Sequence, residues 1–120
     1  VWDAGETTTL SSLEVEQHLF LWDRFRRALI AFMADFDVIL TPAAQAPARP
    51  HDADPGHIAY TLTYSLVGYP AVVVRCGAAP DGMPIGVQVV ARPWRDDVAL
   101  AVAAYLEQAC GGWQRDGLVV

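Results

Sequence analysis

Ser65-Leu66-Val67-Gly68-Tyr69-Pro70-Ala71-Val72-Val73-Val74-Arg75-Cys76-Gly77, followed after a short turn by Gly82-Met83-Pro84-Ile85-Gly86-Val87-Gln88-Val89-Val90-Ala91, is the stretch of this 120-residue chain whose reading decides the fold. Gly68 suits the left-handed position that closes a helix, and Pro70 then blocks continuation and aims the chain into an extended run. Residues 71–76 are mostly β-branched and apolar, which is strand composition. Pro80-Asp81-Gly82 supplies turn chemistry, and residues 85–91 return as a second strand. Two strands this close in sequence pair as an antiparallel hairpin. Gly77 and Gly86 permit a second backbone to come close.

Working upstream, Asp54-Pro55 has the form of a helix start, with Asp at the N-cap and Pro in the first turn, so a short helix is predicted over 55–67. Residues 42–56 hold four prolines and no apolar periodicity. They read as a loop, and an ordered loop of that length is often functional. Val38-Ile39-Leu40, ended by Thr41-Pro42, is a short buried strand. Ahead of it, Ser11-Ser12-Leu13-Glu14 fits a capping box. Leu19, Trp22, Phe25, Leu29, Phe32 or Met33, and Phe36 then recur at helical spacing, with Asp23, Arg24, Arg26 and Arg27 between them. That predicts a helix over 11–35. Downstream, Asp96 or Asp97 caps a last helix over about 97–110, ended by Gly111-Gly112. Its apolar residues cover more than one face, so burial on two sides is expected.

The fold class that follows is α/β. A small mixed sheet of about three strands is expected, with one parallel crossover from Val38 to Cys76 plus the antiparallel hairpin, covered by about three helices. Residues 1–120 are read as one segment.

Composition limits the function. The chain is 53% hydrophobic and 18% charged, against roughly 45–50% and 25% for ordinary domains. A small domain has little interior, so the surplus implies a surface that rests on other protein. The net charge is −6, which disfavours nucleic acid and anionic membranes, since both are held by Lys and Arg. No apolar run reaches the ~20 residues of a membrane helix. Val1-Trp2-Asp3-Ala4 has neither the basic nor the apolar part of a secretory leader. Cys76 and Cys110 form no CxxC and are expected to be small buried thiols of a cytoplasmic protein.

The pattern from Ser65 to Gly77 resembles the C-terminal region of the amidase signature family, where Asn-Leu-x-Gly-x-Pro-Ala leads into a strand ending in Pro-x-Gly. Gly82-Met83-Pro84-Ile85-Gly86-Val87-Gln88 resembles the Gly-x-Pro-x-Gly-x-Gln that follows it there. Asp37-Val38-Ile39-Leu40-Thr41-Pro42 is similar to the strand that precedes both. The likeness spans about residues 20–110 and implies a fragment of the larger amidase-signature α/β sandwich. Ser65 stands where the family usually has Asn, and Arg75 where Pro is common; an Arg there fits an outward-facing strand end. The resemblance implies an amide (C–N) hydrolase that uses two serines and a lysine, with no cofactor. This chain has no lysine, no Gly-Gly-Ser run, and three serines, Ser11, Ser12 and Ser65. A serine nucleophile needs a base, so no catalytic residue is expected here. The implied partners are the N-terminal part of an amidase or a second copy of the chain, with a small-molecule amide as substrate in the complete enzyme. A competing reading is a non-catalytic interaction module that self-associates through its apolar surface. In the resembled fold the loop after Thr41-Pro42 and the helix ending at Gly68 approach the substrate. Ile58, Thr61 or Leu62, and Ser65 share one helical face and are the candidate substrate-binding residues.

Other chemistries are weaker. Ser65, His57 and Asp54 lack the nucleophile elbow of a Ser-His-Asp hydrolase. His51, Asp52, Asp54 and His57 match no metal-ligand spacing, so no metal site is expected. Cys76 at the end of an apolar strand is read as a core residue rather than a nucleophile. Asp96 and Asp97 are read as helix-start residues, and Trp22 and Trp94 as packing residues.

Overall fold

A computed structural model describes residues 9–50, 52 and 58–112 of the chain. The chain divides into two compact units, Val1–Phe32 and Met33–Val120.

The first unit contains helix α1, Ser12–Phe32. The capping box forms as expected. The Ser11 amide donates to Glu14 Oε2 at 2.8 Å, and the Glu14 amide donates back to Ser11 Oγ at 3.4 Å. Asp23 and Arg27 pair one turn apart at 2.8 Å. No residue of this helix is buried. Leu13 is 63% exposed and Phe20 67%, so the apolar surplus seen in the composition is laid out along this element.

The second unit begins with a 3-10 turn, Met33–Asp35, in which Met33 is buried. Then follow β1 (Val38–Pro42), α2 (Ala59–Val67), β2 (Ala71–Ala78), β3 (Pro84–Ala91) and α3 (Asp96–Ala109). The strand order is β1-β3-β2, and both ladders are antiparallel. The expected mixed sheet is thereby corrected. β1 and β2 do run in the same direction and are joined through α2, but β3 lies between them. The reason lies in the pairing: β3 meets β2 through the hairpin and offers its other edge to β1, so β1 and β2 do not become neighbours. Gln88 is 3% exposed, and Val89, Val90 and Ala91 are fully buried. β2 is only half-covered, with Val73 54% exposed, so it is not buried on both faces as its sequence suggests.

The hairpin closes through the expected turn. Gly82 takes a left-handed φ of 87°, and Asp81 Oδ1 accepts from the Met83 amide at 3.1 Å. Helix α2 ends as the sequence dictates: Gly68 has φ 71° and ψ 37°, and the last-turn carbonyls of Tyr64 and Ser65 accept the cap amides. Its start differs. The helix opens after Ile58, with no side-chain cap, four residues later than predicted; Asp54 and Pro55 lie outside the described residues. Helix α3 packs on β2 and β3, with Ala99 and Ala103 as its buried residues. Only one face is covered, because Leu100 is 59% and Tyr105 71% exposed. Arg95 rather than an aspartate occupies its N-cap. Asp97 is turned to the Arg95 guanidinium at 3.0 Å, which holds its carboxyl below the usual range. Trp94 precedes it with φ 65° and is 91% exposed, so it is not a packing residue within this chain.

Candidate functional site

The loop after β1 turns across the sheet and creates a feature with the shape of a binding site. Pro42 to Ala48 contribute small apolar side chains and Gln45 to an open concavity of about 560 Å³, completed by Tyr60 from α2, Val73 and Arg75 from β2, and residues 84–86 of β3. Three local devices hold these pieces together.

Gly86 lets the loop close in. Its carbonyl accepts from the Ala43 amide at 3.2 Å. A Cβ at Gly86 would stand 2.9 Å from Val73 Cγ1 and 3.4 Å from Ala43 Cβ. That is closer than a carbon normally approaches, so only glycine fits without a shift. Gln88 ties the helix to the strands. Its Nε2 donates to Thr41 Oγ1 at 3.2 Å and to the Tyr60 carbonyl at 3.0 Å. Thr41, Gln88 and Val73 are register partners across the three strands, so they project to one face, the face over which Tyr60 is held. At the strand ends Arg92 donates to Asp37 at 2.8 Å, a surface pair joining β3 to β1.

Arg75 brings charge to the concavity. It is half-buried rather than outward-facing, and its Nε is buried without a hydrogen-bond partner among the described residues. A buried donor left unpaired costs about 1–3 kcal/mol, so the site favours an acceptor oxygen beside it. The arrangement can therefore hold an apolar group against the Pro42–Ala48 loop and an acceptor at Arg75.

Of the candidate substrate-binding residues, Ile58 is 59% exposed. Thr61 is half-buried, and its hydroxyl donates to the Ile58 carbonyl at 3.2 Å. Ser65 is exposed. Ile58 and Ser65 thus stand open on α2, and none of the three lines the concavity. Tyr60, two residues past Ile58, does so instead. The sequence flagged the Pro-rich loop but neither Tyr60 nor Arg75. An aromatic with a hydroxyl at a helix start and an Arg inside an apolar strand were the available signals. Of the Ser-His-Asp set weighed above, His57 and Asp54 lie outside the described residues, as do His51 and Asp54 of the metal cluster. Among the described residues no group of three His, Cys, Asp or Glu could hold a metal ion.

A sequence model of the Amidase family matches residues 5–100. The chain is similar to fatty-acid amide hydrolase 2 of Homo sapiens, 37% identical over 94 residues that cover 76% of this chain and 18% of that protein. It is likewise similar to a glutamyl-tRNA(Gln) amidotransferase component of Ruegeria pomeroyi, 40% identical over 88 residues, 67% of this chain and 18% of that one. Among solved structures, an amidase superposes with a TM-score of 0.77 at 27% identity, covering 85% of this chain and 26% of that one. The fold of 6-aminohexanoate cyclic dimer hydrolase gives 0.76 at 24% identity, covering 92% and 27%. The chain thus spans under a fifth of the length of these curated relatives.

Proposed function

The chain belongs to the amidase family, and we propose that it is the C-terminal portion of an amide (C–N) hydrolase, supplying scaffold and one wall of the substrate pocket while the nucleophile and base come from outside these 120 residues. The observation that carries this reading is chemical. The family's scaffold residues are present, from Gly68 and Pro70 to Gly86 and Gln88, yet the sequence contains no lysine. The family resemblance calls for a Ser-Ser-Lys set, and that set cannot be assembled here. Ser11 donates to Glu14 at 2.7 Å and serves the helix cap.

In this reading the concavity at Tyr60 holds one part of a small-molecule amide, and the open face of α2, with Ile58, Thr61 and Ser65, lines a second part of the pocket in the complete enzyme. The N-terminal part of an amidase is the partner this requires. The free thiols Cys76 and Cys110 support a reducing, cytoplasmic location. Among the described residues no helix is long and apolar enough to cross a membrane. The test is made in the complete protein: Tyr60→Ala and Ser65→Ala raise KM for amide substrates while the protein keeps its thermal stability. Unchanged KM in both variants contradicts the pocket assignment.

The exposed apolar residues of α1 favour a second reading, a module that self-associates without catalysis. Sedimentation of the chain separates the two: a concentration-independent monomer removes this alternative.

A further inference from the structure

Among the described residues that line the concavity, Arg75 alone is charged, and it sits in an otherwise apolar strand. Its place follows from the ladder. Side chains alternate along a strand, so Arg75 projects to the same face of β2 as Val73, whose register partner is Gln88. That is the face over which Gln88 holds the Tyr60 carbonyl at 3.0 Å. Opposite Arg75 in β3 stands Gly86, which has no side chain to cover a guanidinium. The Nε of Arg75 is nevertheless buried, and it lacks a hydrogen-bond partner among the described residues. No Asp or Glu stands among the lining residues. A buried cationic donor with neither a counter-charge nor an acceptor is costly, and an incoming anion removes that cost.

The rest of the lining selects the kind of anion. The Pro42–Ala48 loop, Val73 and Ile85 offer mainly alkyl surface, and the other polar side chains, Gln45 and Tyr60, can each donate a hydrogen bond. A volume of about 560 Å³ suits a small organic molecule. A guanidinium presents a planar fork that matches the two oxygens of a carboxylate. One arginine balances one negative charge. A phosphate dianion carries more, into a chain whose net charge is already −6, and the lining holds no second cation.

We propose that this concavity is a carboxylate subsite, in which Arg75 pairs with the carboxylate of an amide substrate whose aliphatic stem lies on the Pro42–Ala48 loop. In an amide hydrolase, the reading on which this rests, the substrate class is an aliphatic amide with a free carboxylate at the end away from the scissile bond. Arg75 is thereby a specificity residue. It is particular to this chain, since Pro is common at this position in the resembled family and offers no charge.

The isotope-labelled chain is titrated with hexanoate, hexanamide and inorganic phosphate, and the arginine Nε–H signals are followed by NMR. The Arg75 signal, identified by its absence from Arg75→Gln, is expected to move and saturate with hexanoate, and to stay in place with hexanamide and with phosphate. Arg75→Lys keeps the charge without the fork and is expected to bind hexanoate about tenfold more weakly. Hexanoate against hexanamide on the unaltered chain decides the matter even where a variant does not fold. Equal movement with both, a stronger response to phosphate, or no response to hexanoate overturns the proposal. Binding involves no catalysis, so this arm fails or succeeds apart from the amide reading. In the complete protein, the preference in kcat/KM for adipamic acid, in which a carboxyl replaces the terminal methyl of hexanamide, is expected to fall about tenfold in Arg75→Gln. An unchanged preference overturns the specificity role. Hexanoate binding by a complete protein that cleaves no amide supports the subsite and overturns the amidase reading instead.

Discussion

Gln88 shows what a single residue does in this fold. Its amide makes two long-range bonds, to residues 47 and 28 positions away, and it is buried. Gln88→Leu leaves the Tyr60 carbonyl without its donor and is expected to cost about 1–3 kcal/mol, measured as a lower urea midpoint. Gly86→Ala places a carbon 2.9 Å from Val73 Cγ1, and overpacking of that kind costs about 1–3 kcal/mol. The double variant with Val73→Ala should recover part of the loss, so a double-mutant cycle reads the coupling directly. Gly68→Ala differs in kind. Its added Cβ meets nothing within 4 Å, so only the left-handed backbone is strained, at about 1–2 kcal/mol, and no neighbouring substitution rescues it. The turn and cap roles of Gly68 and Gly82 were legible in the sequence because they depend on local backbone geometry. The partners of Gln88 and the burial of Arg75 were not, because they are set by which strands become neighbours.

Among the elements, α1 was readable nearly to its ends. Ser11 and Glu14 satisfy each other's amides, and a reciprocal cap of that kind is written in four consecutive residues. The hydrogen bond from Ser11 holds the Glu14 carboxyl below its ordinary 4.5. A depressed carboxyl pKa stabilises the folded helix above the ordinary value, and that contribution fades as pH falls through the lowered one. Helical circular dichroism of the chain should therefore decline on acidification below about pH 4.5. Ser11→Ala should cost about 1 kcal/mol and flatten that pH response. The sheet was less legible. A strand, a helix and a second strand in the same direction are compatible with direct parallel pairing or with a third strand between them. Strand composition did not mark the central one, since β2 carries the unbroken run Ala71–Val74 while Gln88 interrupts the apolar residues of β3. The sequence sets the start of α2 too early because Asp54-Pro55 carries strong local capping chemistry, while the helix begins only after Ile58.

At the scale of the whole molecule, the apolar surplus in the composition was the most telling number. It reappears as the exposed face of α1, the half-covered strand β2 and the bare side of α3, with Trp94 and Tyr105 at 91% and 71% exposure. Surfaces of that kind fit a chain that spans under a fifth of its curated relatives. Substrate identity was not legible, because Tyr60, Arg75 and the Pro42–Ala48 loop meet only through tertiary contacts. The absence of lysine was plain from the start. The most direct measurement treats the chain alone with a fluorophosphonate probe and reads its intact mass. The account predicts an unmodified chain, because the lysine base that the family resemblance calls for is absent from the sequence. A covalent adduct on Ser11, Ser12 or Ser65 would contradict it.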